Sequence, residues 1–375
     1  MPNDDNIIGV LLMVKNEEKS IETTINSTKK LIKNIIVFDT GSTDKTIEII
    51  KNTCINNEQN LYLKEGDFKS YPESRNEAIK FAETIDVNFL ILMDAGDILQ
   101  TNKNKKQFLK IIKAVPSHYN FGLVQKQWLE KTGLDNHFDI RFIKNHKNLR
   151  YDLRYPVHEC FKDVEEYVNI GDVFILFQDR TKFASSSEKR YSKDIEILSK
   201  APENKRNLYY LAQSYMSVND FYNGFKYNIK SYEIDDNIMN SNKDFDEKFT
   251  LVRIGYCAIA CKMKSDIILY YLNKACETKE PPVDAFVYIL KYFMDNKCPE
   301  KALPYVKKLF DLKKPGSDKS TLVNNQFYDY LRWHLISVIC LSTNQMLDIG
   351  KNACLKAIDA GNHPNDINNI KLFQT

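Results

Sequence analysis

The sequence predicts an α/β domain with a mostly parallel sheet, followed by an all-α domain of helical repeats. Within the first hundred residues, short apolar runs alternate with polar turns and with stretches of helical period, which is the pattern of βαβ units. Three of those runs end in acidic turns. Beyond about residue 190 the apolar residues follow helical periodicity only. The chain therefore divides into a sheet-forming first half and a helical second half.

Length and composition limit the classes of protein that the chain can be. Its 375 residues suffice for two cores, since single domains usually span about 100–200 residues. A net charge of +3 without a long basic run argues against nucleic acid as a partner. The acidic start, residues 1–5, does not resemble a signal peptide, and no apolar run approaches the roughly 20 residues of a membrane span. Eight cysteines without a Cys-x-x-Cys pair indicate reduced thiols, so we expect a cytoplasmic protein.

The first half contains four apolar runs that predict strands, at 8–14, 35–38, 61–63 and 89–93. Between them, helical spacing predicts helices over 18–31, 46–52 and 73–84. Pro72 lies near the predicted start of the third helix, and Ser42 or Thr43 is the expected N-cap of the second. Aromatic and β-branched residues at 138–143 and 173–177 predict further strands, with acceptor-binding loops between them.

A polar stretch at 183–190 has no core pattern and is the predicted boundary between domain 1–182 and domain 183–375. In the second domain, residues 208–236 follow tetratricopeptide-like spacing of small and large residues around a turn at Asn219 and Asp220. Residues 285–315 form another approximate unit, while 255–281 and 333–364 match less well. Stacked helix pairs leave a concave surface, so this domain is expected to contact a protein or to form a homodimer.

The acidic turns point to a ligand site. Carboxyl ends of parallel strands share one edge of an open sheet, so side chains that follow different strands would converge there. Carboxylates at such an edge must face the sugar or base of a phosphate-bearing ligand, or hold a divalent cation between themselves and its phosphates. The sequence therefore predicts a nucleotide-sugar site. Its acidic and amide residues are Asn16, Glu17, Asp39, Asp44, Asp94 and Asp97.

Five segments carry a resemblance to a known family. They are 14–18, 37–46, 74–78, 92–97 and the pair 141–143 and 156–159. In this order they resemble the GT-A glycosyltransferases of family 2, in particular the branch with a C-terminal tetratricopeptide-like region. The resemblance implies a GT-A nucleotide-binding domain, an activated sugar-diphosphate donor and inversion at the anomeric carbon.

The resemblance also implies roles for several residues. Asp39 and the Asn16-Glu17 turn would hold the base and ribose, and Asp44 would cap or orient the loop. Arg75 would contact the donor, because a guanidinium pairs well with phosphate or with an acidic residue of the site. The alternatives are a turn cap for Asp39 and Asp44, and a surface salt bridge for Arg75.

The aspartate motif departs from the family pattern at Gly96, where a metal-contacting aspartate is usual. The resemblance assigns Mn²⁺ or Mg²⁺ to Asp94 and Asp97 with His158 as third ligand. The alternatives are a weak metal site with slow or metal-independent transfer, and a structural histidine. Glu159 or Asp139 would be the general base that deprotonates the acceptor, and the sequence does not decide between them.

Together these features predict an inverting glycosyltransferase with a nucleotide-diphosphate donor, UDP-linked in our interpretation, and a protein or glycan acceptor. The alternative is a catalytically weak nucleotide-sugar binder that acts as a protein-interaction scaffold through its helices. A nucleotidyltransferase is disfavoured, because no Gly-rich phosphate loop with a basic signature follows the first strand.

Overall fold

A computed structural model describes residues 6–130, 133–183, 187–234, 247–315, 324–361 and 363–373. By packing, the chain divides into two compact units, Met1–Pro202 and Glu203–Thr375. The boundary predicted between residues 182 and 183 remains a prediction. Part of the polar stretch on which it rests, residues 184–186, lies outside the described residues, as do the acidic residues 1–5.

The first unit is built on a mixed sheet, in which nine strands fall within the described residues. The strands are β1 (Ile8–Val14), β2 (Asn34–Asp39), β3 (Asn60–Glu65), β4 (Phe89–Met93), β5 (Ile98–Gln100), β6 (Phe121–Glu130), β7 (Gly133–Lys144), β8 (Tyr167–Asn169) and β9 (Ile175–Asp179). Their order is β3-β2-β1-β4-β7-β6-β9-β5, and β8 pairs with β6. The first four strands in this order, β3, β2, β1 and β4, run parallel to one another. Strand β7 runs antiparallel to both β4 and β6. The predicted strands 8–14 and 89–93 coincide with β1 and β4.

Helices connect these strands or follow the last of them. They are α1 (Ile21–Thr28), α2 (Thr46–Asn56), α3 (Tyr71–Ala82), α4 (Lys105–Lys113), α5 (Arg180–Phe183) and α6 (Ser187–Leu198). Ser70 caps α3 by accepting the N–H of Glu73, and Pro72 lies in its first turn, where no N–H is needed. The predicted N-cap of α2 is wrong: the helix begins after Lys45, and Ser42 instead donates to Asp39 at 2.5 Å.

Alternate side chains of the central strands face opposite helical layers. Val10 and Leu12 of β1 pack with Ile21 and Ile25 of α1 on one face. On the other face, Leu11 joins a cluster that includes Ala78, Ile79 and Ala82 from α3. Burial on both faces explains why the β1 and β4 sequences are continuous apolar runs.

The second unit is helical throughout its described residues. Its helices are α7 (Lys205–Ser217), α8 (Phe221–Glu233), α9 (Glu247–Ala260), α10 (Ser265–Cys276), α11 (Val283–Asp295), α12 (Leu303–Asp311), α13 (Arg332–Thr343), α14 (Leu347–Gly361) and α15 (Pro364–Leu372). A 3₁₀ turn (Pro299–Ala302) precedes α12 and a π-helical turn (Phe327–Leu331) precedes α13. The predicted turn at Asn219 and Asp220 joins α7 to α8, and the Asp220 carboxylate caps α8. Among the residues described in either unit, no helix combines the length and apolarity needed to cross a bilayer.

Candidate active site

The three acidic turns lie at one edge of the sheet, as the sequence predicts. β1 runs parallel to β2 on one side and to β4 on the other, so the carboxyl ends of all three strands point the same way. Asp39 ends β2 opposite Val14, and Asp94 follows Met93, the last residue of β4. The strand order reverses between β1 and β4, and open α/β sheets bind ligands at such a reversal.

Hydrogen bonds join the turn after β1 to the turn after β2. Asn16 lies in the left-handed region with φ 57°. Its backbone N–H donates to Ser42 Oγ at 3.0 Å, and its side-chain oxygen accepts the Thr43 N–H at 2.8 Å. The N–H of Glu17 donates to Thr46 Oγ1 at 2.7 Å. The two turns therefore form one hydrogen-bonded rim, residues 16–18 and 39–46.

Asp39 and Asp44 shape this rim from inside. The buried Asp39 carboxylate accepts the backbone N–H groups of Gly41 at 3.1 Å and Ser42 at 3.0 Å. Asp44 Oδ1 accepts the Thr46 N–H at 2.9 Å, and its Oδ2 accepts the Glu18 N–H at 3.2 Å. Both carboxylates thus hold the loop in place, while the donor-site roles expected for Asp39 and Asp44 stay predictions.

Glu17 is a rim carboxylate whose pKa is raised. Its Oε2 accepts the Ser20 hydroxyl at 2.7 Å. Burial raises the pKa of Glu17, and the nearby negative charges of Asp94 and Asp44 raise it further, while the Ser20 hydroxyl opposes the shift.

Asp94 lies among three cations that come from three different elements. Its Oδ2 contacts Lys126 Nζ of β6 at 3.1 Å and Arg141 Nη1 of β7 at 3.0 Å. Its Oδ1 accepts from Arg75 Nη2 of α3 at 3.3 Å. Burial alone would raise the pKa of Asp94, but Arg141, Lys126 and Arg75 together lower it well below its usual range. Asp94 is therefore a carboxylate at neutral pH. We call Arg75, Lys126 and Arg141 the cation cluster.

A bulge in the sheet directs the side chain of Arg141, one member of the cation cluster, toward Asp94. In the β6–β7 pair, Gly122 lies opposite Phe142 and Leu123 lies opposite Ile140, so Arg141 has no partner residue in the register. A bulge leaves its extra residue unpaired and turns the local side chains. Arg141 thereby reaches Asp94 and also donates from Nε to Asp139 Oδ2 at 2.8 Å.

The remainder of the aspartate motif faces inward. The Asp97 side chain is 0% exposed, and its Oδ2 accepts the Asp94 N–H at 2.9 Å and contacts Lys126 Nζ at 3.2 Å. Gly96 has φ +93°, a conformation that residues with a Cβ rarely adopt. Its N–H donates to Thr24 Oγ1 at 2.8 Å. The backbone therefore explains the glycine where the family usually has an aspartate.

His158 and Glu159 belong to a loop closed by an isolated antiparallel bridge between Tyr151 and Phe161. The two rings stack with centroids 4.0 Å apart. Asn76 of α3 fastens the base of this loop, because its side chain donates to the Tyr151 carbonyl at 3.0 Å and accepts the Tyr151 N–H at 2.7 Å. α3 thus holds the loop next to the cation cluster.

The two candidate bases differ in environment. The Glu159 side chain is 14% exposed and lies 3.9 Å from Arg75 Nε. Burial raises the pKa of Glu159, and Arg75 only partly opposes this. For Asp139 burial acts in the same direction, but Arg141 and His137 outweigh it and lower the pKa. Glu159 is therefore the weaker acid of the two.

The residues present do not fit a divalent cation. Asp94 already contacts three positive groups, Asp97 is fully buried against Lys126, and Gly96 supplies no oxygen from a side chain. Within the described part of the chain, no group of three or more His, Cys, Asp or Glu side chains could hold a metal ion. The predicted ligands Asp94, Asp97 and His158 therefore do not form a metal site in this arrangement.

The structure thus brings Asn16, Glu17, Asp39 and Asp44 into one rim, and Arg75, Asp94, Asp97, Asp139 and Glu159 into one ion-pair network. The sequence prediction missed Lys126 and gave no role to Arg141. A signal for Lys126 existed, since it shares a strand face with Val124 in an otherwise core-forming run. Nothing local marks Arg141, because the bulge depends on pairing between strands.

The reversed strand order, the acidic edge and the mixed extension through β7 and β6 are the features of a GT-A domain, the fold that the sequence predicts. Residues 10–161 match the family described as Glycosyl transferase family 2, which confirms the resemblance over this segment.

Solved structures show more limited likeness. A fragment of S. aureus TarS in complex with UDP is 14% identical, over 71% of this chain and 89% of that one, with a TM-score of 0.40. Glucosyl-3-phosphoglycerate synthase from Mycobacterium tuberculosis in complex with Mg²⁺ and UDP is 22% identical, over 33% and 44%, with a TM-score of 0.23. The TPR protein YrrB is 15% identical, over 50% and 83%, with a TM-score of 0.34. No curated protein matches the chain. At these TM-scores the assignment depends on the family match and the sheet.

Proposed function

We propose that the chain is an inverting glycosyltransferase that moves a sugar from a UDP-linked donor to a protein or glycan acceptor. The observation that carries this proposal is the convergence of three acidic turns at the sheet edge, beside the reversal between β1 and β4. The family match over residues 10–161 supports the same reaction class.

The nucleoside is proposed to bind at the rim. Its backbone and side chains offer hydrogen-bonding groups for a base and a ribose, with Asn16 and Glu17 as the direct contacts. Asp39 and Asp44 act mainly through the loop that they hold, since their oxygens already accept backbone N–H groups. Loss of either carboxylate would therefore weaken nucleoside binding by loosening the rim.

Glu159 is proposed as the general base. An inverting transfer requires a carboxylate that takes the acceptor proton while the acceptor oxygen attacks the anomeric carbon. A base is most effective when its pKa lies near the working pH, and the raised pKa of Glu159 brings it closer than Asp139. Asp139, fixed by Arg141, is proposed to position that arginine.

We propose a reaction without a metal, since Asp94 contacts three positive groups and the fully buried Asp97 contacts Lys126. The helical unit is proposed to contact the acceptor or a second copy of the chain, as stacked helix pairs commonly do. The eight cysteines are present as thiols, and reduced thiols are typical of the cytoplasmic location that we propose.

A thermal-shift series with UDP-linked and GDP-linked sugars tests the donor. At a hundred times Kd, a ligand that binds only the folded state stabilises it by about 2.7 kcal/mol. We expect UDP-linked sugars to protect the fold, UDP to be released from the protecting sugar, and NMR of the glycosylated product to show inversion at the anomeric carbon. Protection without any turnover would favour the scaffold alternative, and no protection by any nucleotide sugar would refute the proposal.

A further inference from the structure

The cation cluster is more than a set of surface ion pairs. Lys126 and Arg141 project from sheet strands, and their side chains are only 8% and 14% exposed. Removing charged groups from water carries a large desolvation cost, which ordinary surface salt bridges avoid. The cluster is nevertheless open on one side, because the Asp94 side chain at its centre is 35% exposed. Three largely buried cations therefore meet at a solvent-accessible point of the sheet edge.

The cluster retains donors that an anion could use. Arg75 contacts Asp94 through Nη2, while its buried Nε has no hydrogen-bond partner among the described residues. A guanidinium carries five N–H donors in a planar fork that matches phosphate oxygens, and an ammonium carries three. The contacts of Arg75 and Lys126 with carboxylates involve only part of this capacity. Phosphate oxygens could join the cluster without displacing all of these contacts.

The cluster also occupies the place where the family motif would put a divalent cation. Asp94 contacts three cations, Asp97 is turned inward, and the φ of +93° at Gly96 favours a residue without a side chain. A divalent ion at this point would meet three positive groups within contact distance of its main ligand. Three positive side chains therefore already neutralise Asp94 at this point.

We propose that Arg75, Lys126 and Arg141 bind the donor diphosphate and neutralise it as it leaves, so that transfer by this chain is metal-independent. This inference rests on the proposed function. In the step, the bond from the anomeric carbon to the diphosphate oxygen breaks and its electron pair stays on the diphosphate. The acceptor oxygen bonds to the anomeric carbon, and its proton passes to Glu159. The cations stabilise the negative charge that grows on the leaving group.

Calorimetric titration of the full chain with UDP, UMP and inorganic pyrophosphate tests this proposal. The three probes separate the nucleoside from the terminal phosphate. In EDTA we expect UDP to bind at least about tenfold more tightly than UMP, because charge-assisted hydrogen bonds to the extra phosphate are strong. Added Mn²⁺ should change the UDP affinity by less than about twofold, well under the tenfold step that 1.4 kcal/mol represents.

Variants assign the effect to the cluster. Lys126→Gln and Arg141→Gln should each lower the preference for UDP over UMP by about tenfold, while Lys126→Arg keeps most of it because the charge remains. Lys110→Gln, on the exposed side of α4, is the matched control for loss of one positive charge. The ratio of the UDP affinity to the UMP affinity is informative, because partial misfolding would weaken the binding of both ligands. Thermal melting of each variant reports its folding.

Two results would overturn the proposal: a tenfold or greater loss of UDP affinity in EDTA that Mn²⁺ restores, or an unchanged UDP-to-UMP ratio in both glutamine variants. If pyrophosphate binds and UDP does not, the nucleotide-sugar function is refuted while the anion site stands. Failure of all three probes to bind would overturn the anion site itself.

Discussion

Replacement of Gly96 by alanine is the most direct test of the idea that the backbone excludes a third aspartate here. With φ +93°, an alanine at this position would be strained, at a cost of about 1–3 kcal/mol for such conformations. Its Cβ would lie 3.2 Å from Gln178 Nε2, the movable end of a side chain, so the contact adds little. For domains of this size, the expected loss corresponds to a fall in Tm of about 2–12 °C.

Gly41→Ala is the matched control. Gly41 also has φ +93°, but a Cβ there would have nothing within 4 Å. In urea unfolding, the difference between the two variants in free energy of unfolding therefore isolates the contact with Gln178. The loss of free energy that they share measures the backbone strain. If both variants unfold within about 0.5 kcal/mol of the parent, the range of ordinary surface substitutions, the strain argument is wrong.

Gly96→Asp extends the test to the metal. We expect this variant to lose at least as much stability as Gly96→Ala, and Mn²⁺ should not restore it. If the variant restored a metal site, Mn²⁺ at a hundred times its Kd would raise the free energy of unfolding by about 2.7 kcal/mol and the Tm measurably. Such a rise in the aspartate variant, absent from the parent, would show that the backbone does accept a third ligand.

Three further predictions concern other parts of the molecule. Glu159→Gln should lower kcat by about 10²- to 10⁴-fold. In the parent, the rate should fall as the pH is lowered, because the Glu159 carboxylate takes up a proton, and burial should place this acid limb above the usual range of a glutamate pKa. An acid limb within or below that usual range would contradict the assignment. Gly255→Ala should destabilise the helical unit by about 1–3 kcal/mol in urea unfolding, because the new Cβ would clash with Leu272 Cδ2. Gly361→Ala is the control, because a Cβ there meets only ordinary van der Waals contacts and should leave the stability unchanged. Asp366→Ala removes a fully buried acceptor of two side-chain hydrogen bonds and should cost about 1–3 kcal/mol, so a melting curve identical to the parent's would refute that role.

The sequence predicts the parts of this molecule that local pattern decides. β1 and β4 are apolar runs buried on both faces, so their ends can be placed from the sequence alone. The rim follows from them, since parallel strands deliver Asp39 and Asp94 to one edge whatever the exact register. The N-cap of α2 was predicted wrongly because Ser42 had a stronger local partner in Asp39 than the helix terminus.

The cation cluster lies beyond such prediction for a physical reason. Lys126 and Arg141 reach Asp94 only because β7 pairs between β4 and β6, and because a bulge displaces the register at Arg141. Pairing of distant strands and single-residue bulges leave no periodic trace in a sequence. The aspartate motif is visible in the sequence, but the groups that surround it are set by tertiary structure.

The position of Asn76 beside Arg75 makes α3 intolerant of changes in length. One residue contacts Asp94, and the next fastens the loop that carries Glu159. Each inserted residue rotates the rest of a helix by about 100°, so an insertion before this pair would swing both side chains away together. Relatives of this chain should therefore vary α3 by substitution on its outer face and place their insertions and deletions in the loops at either end.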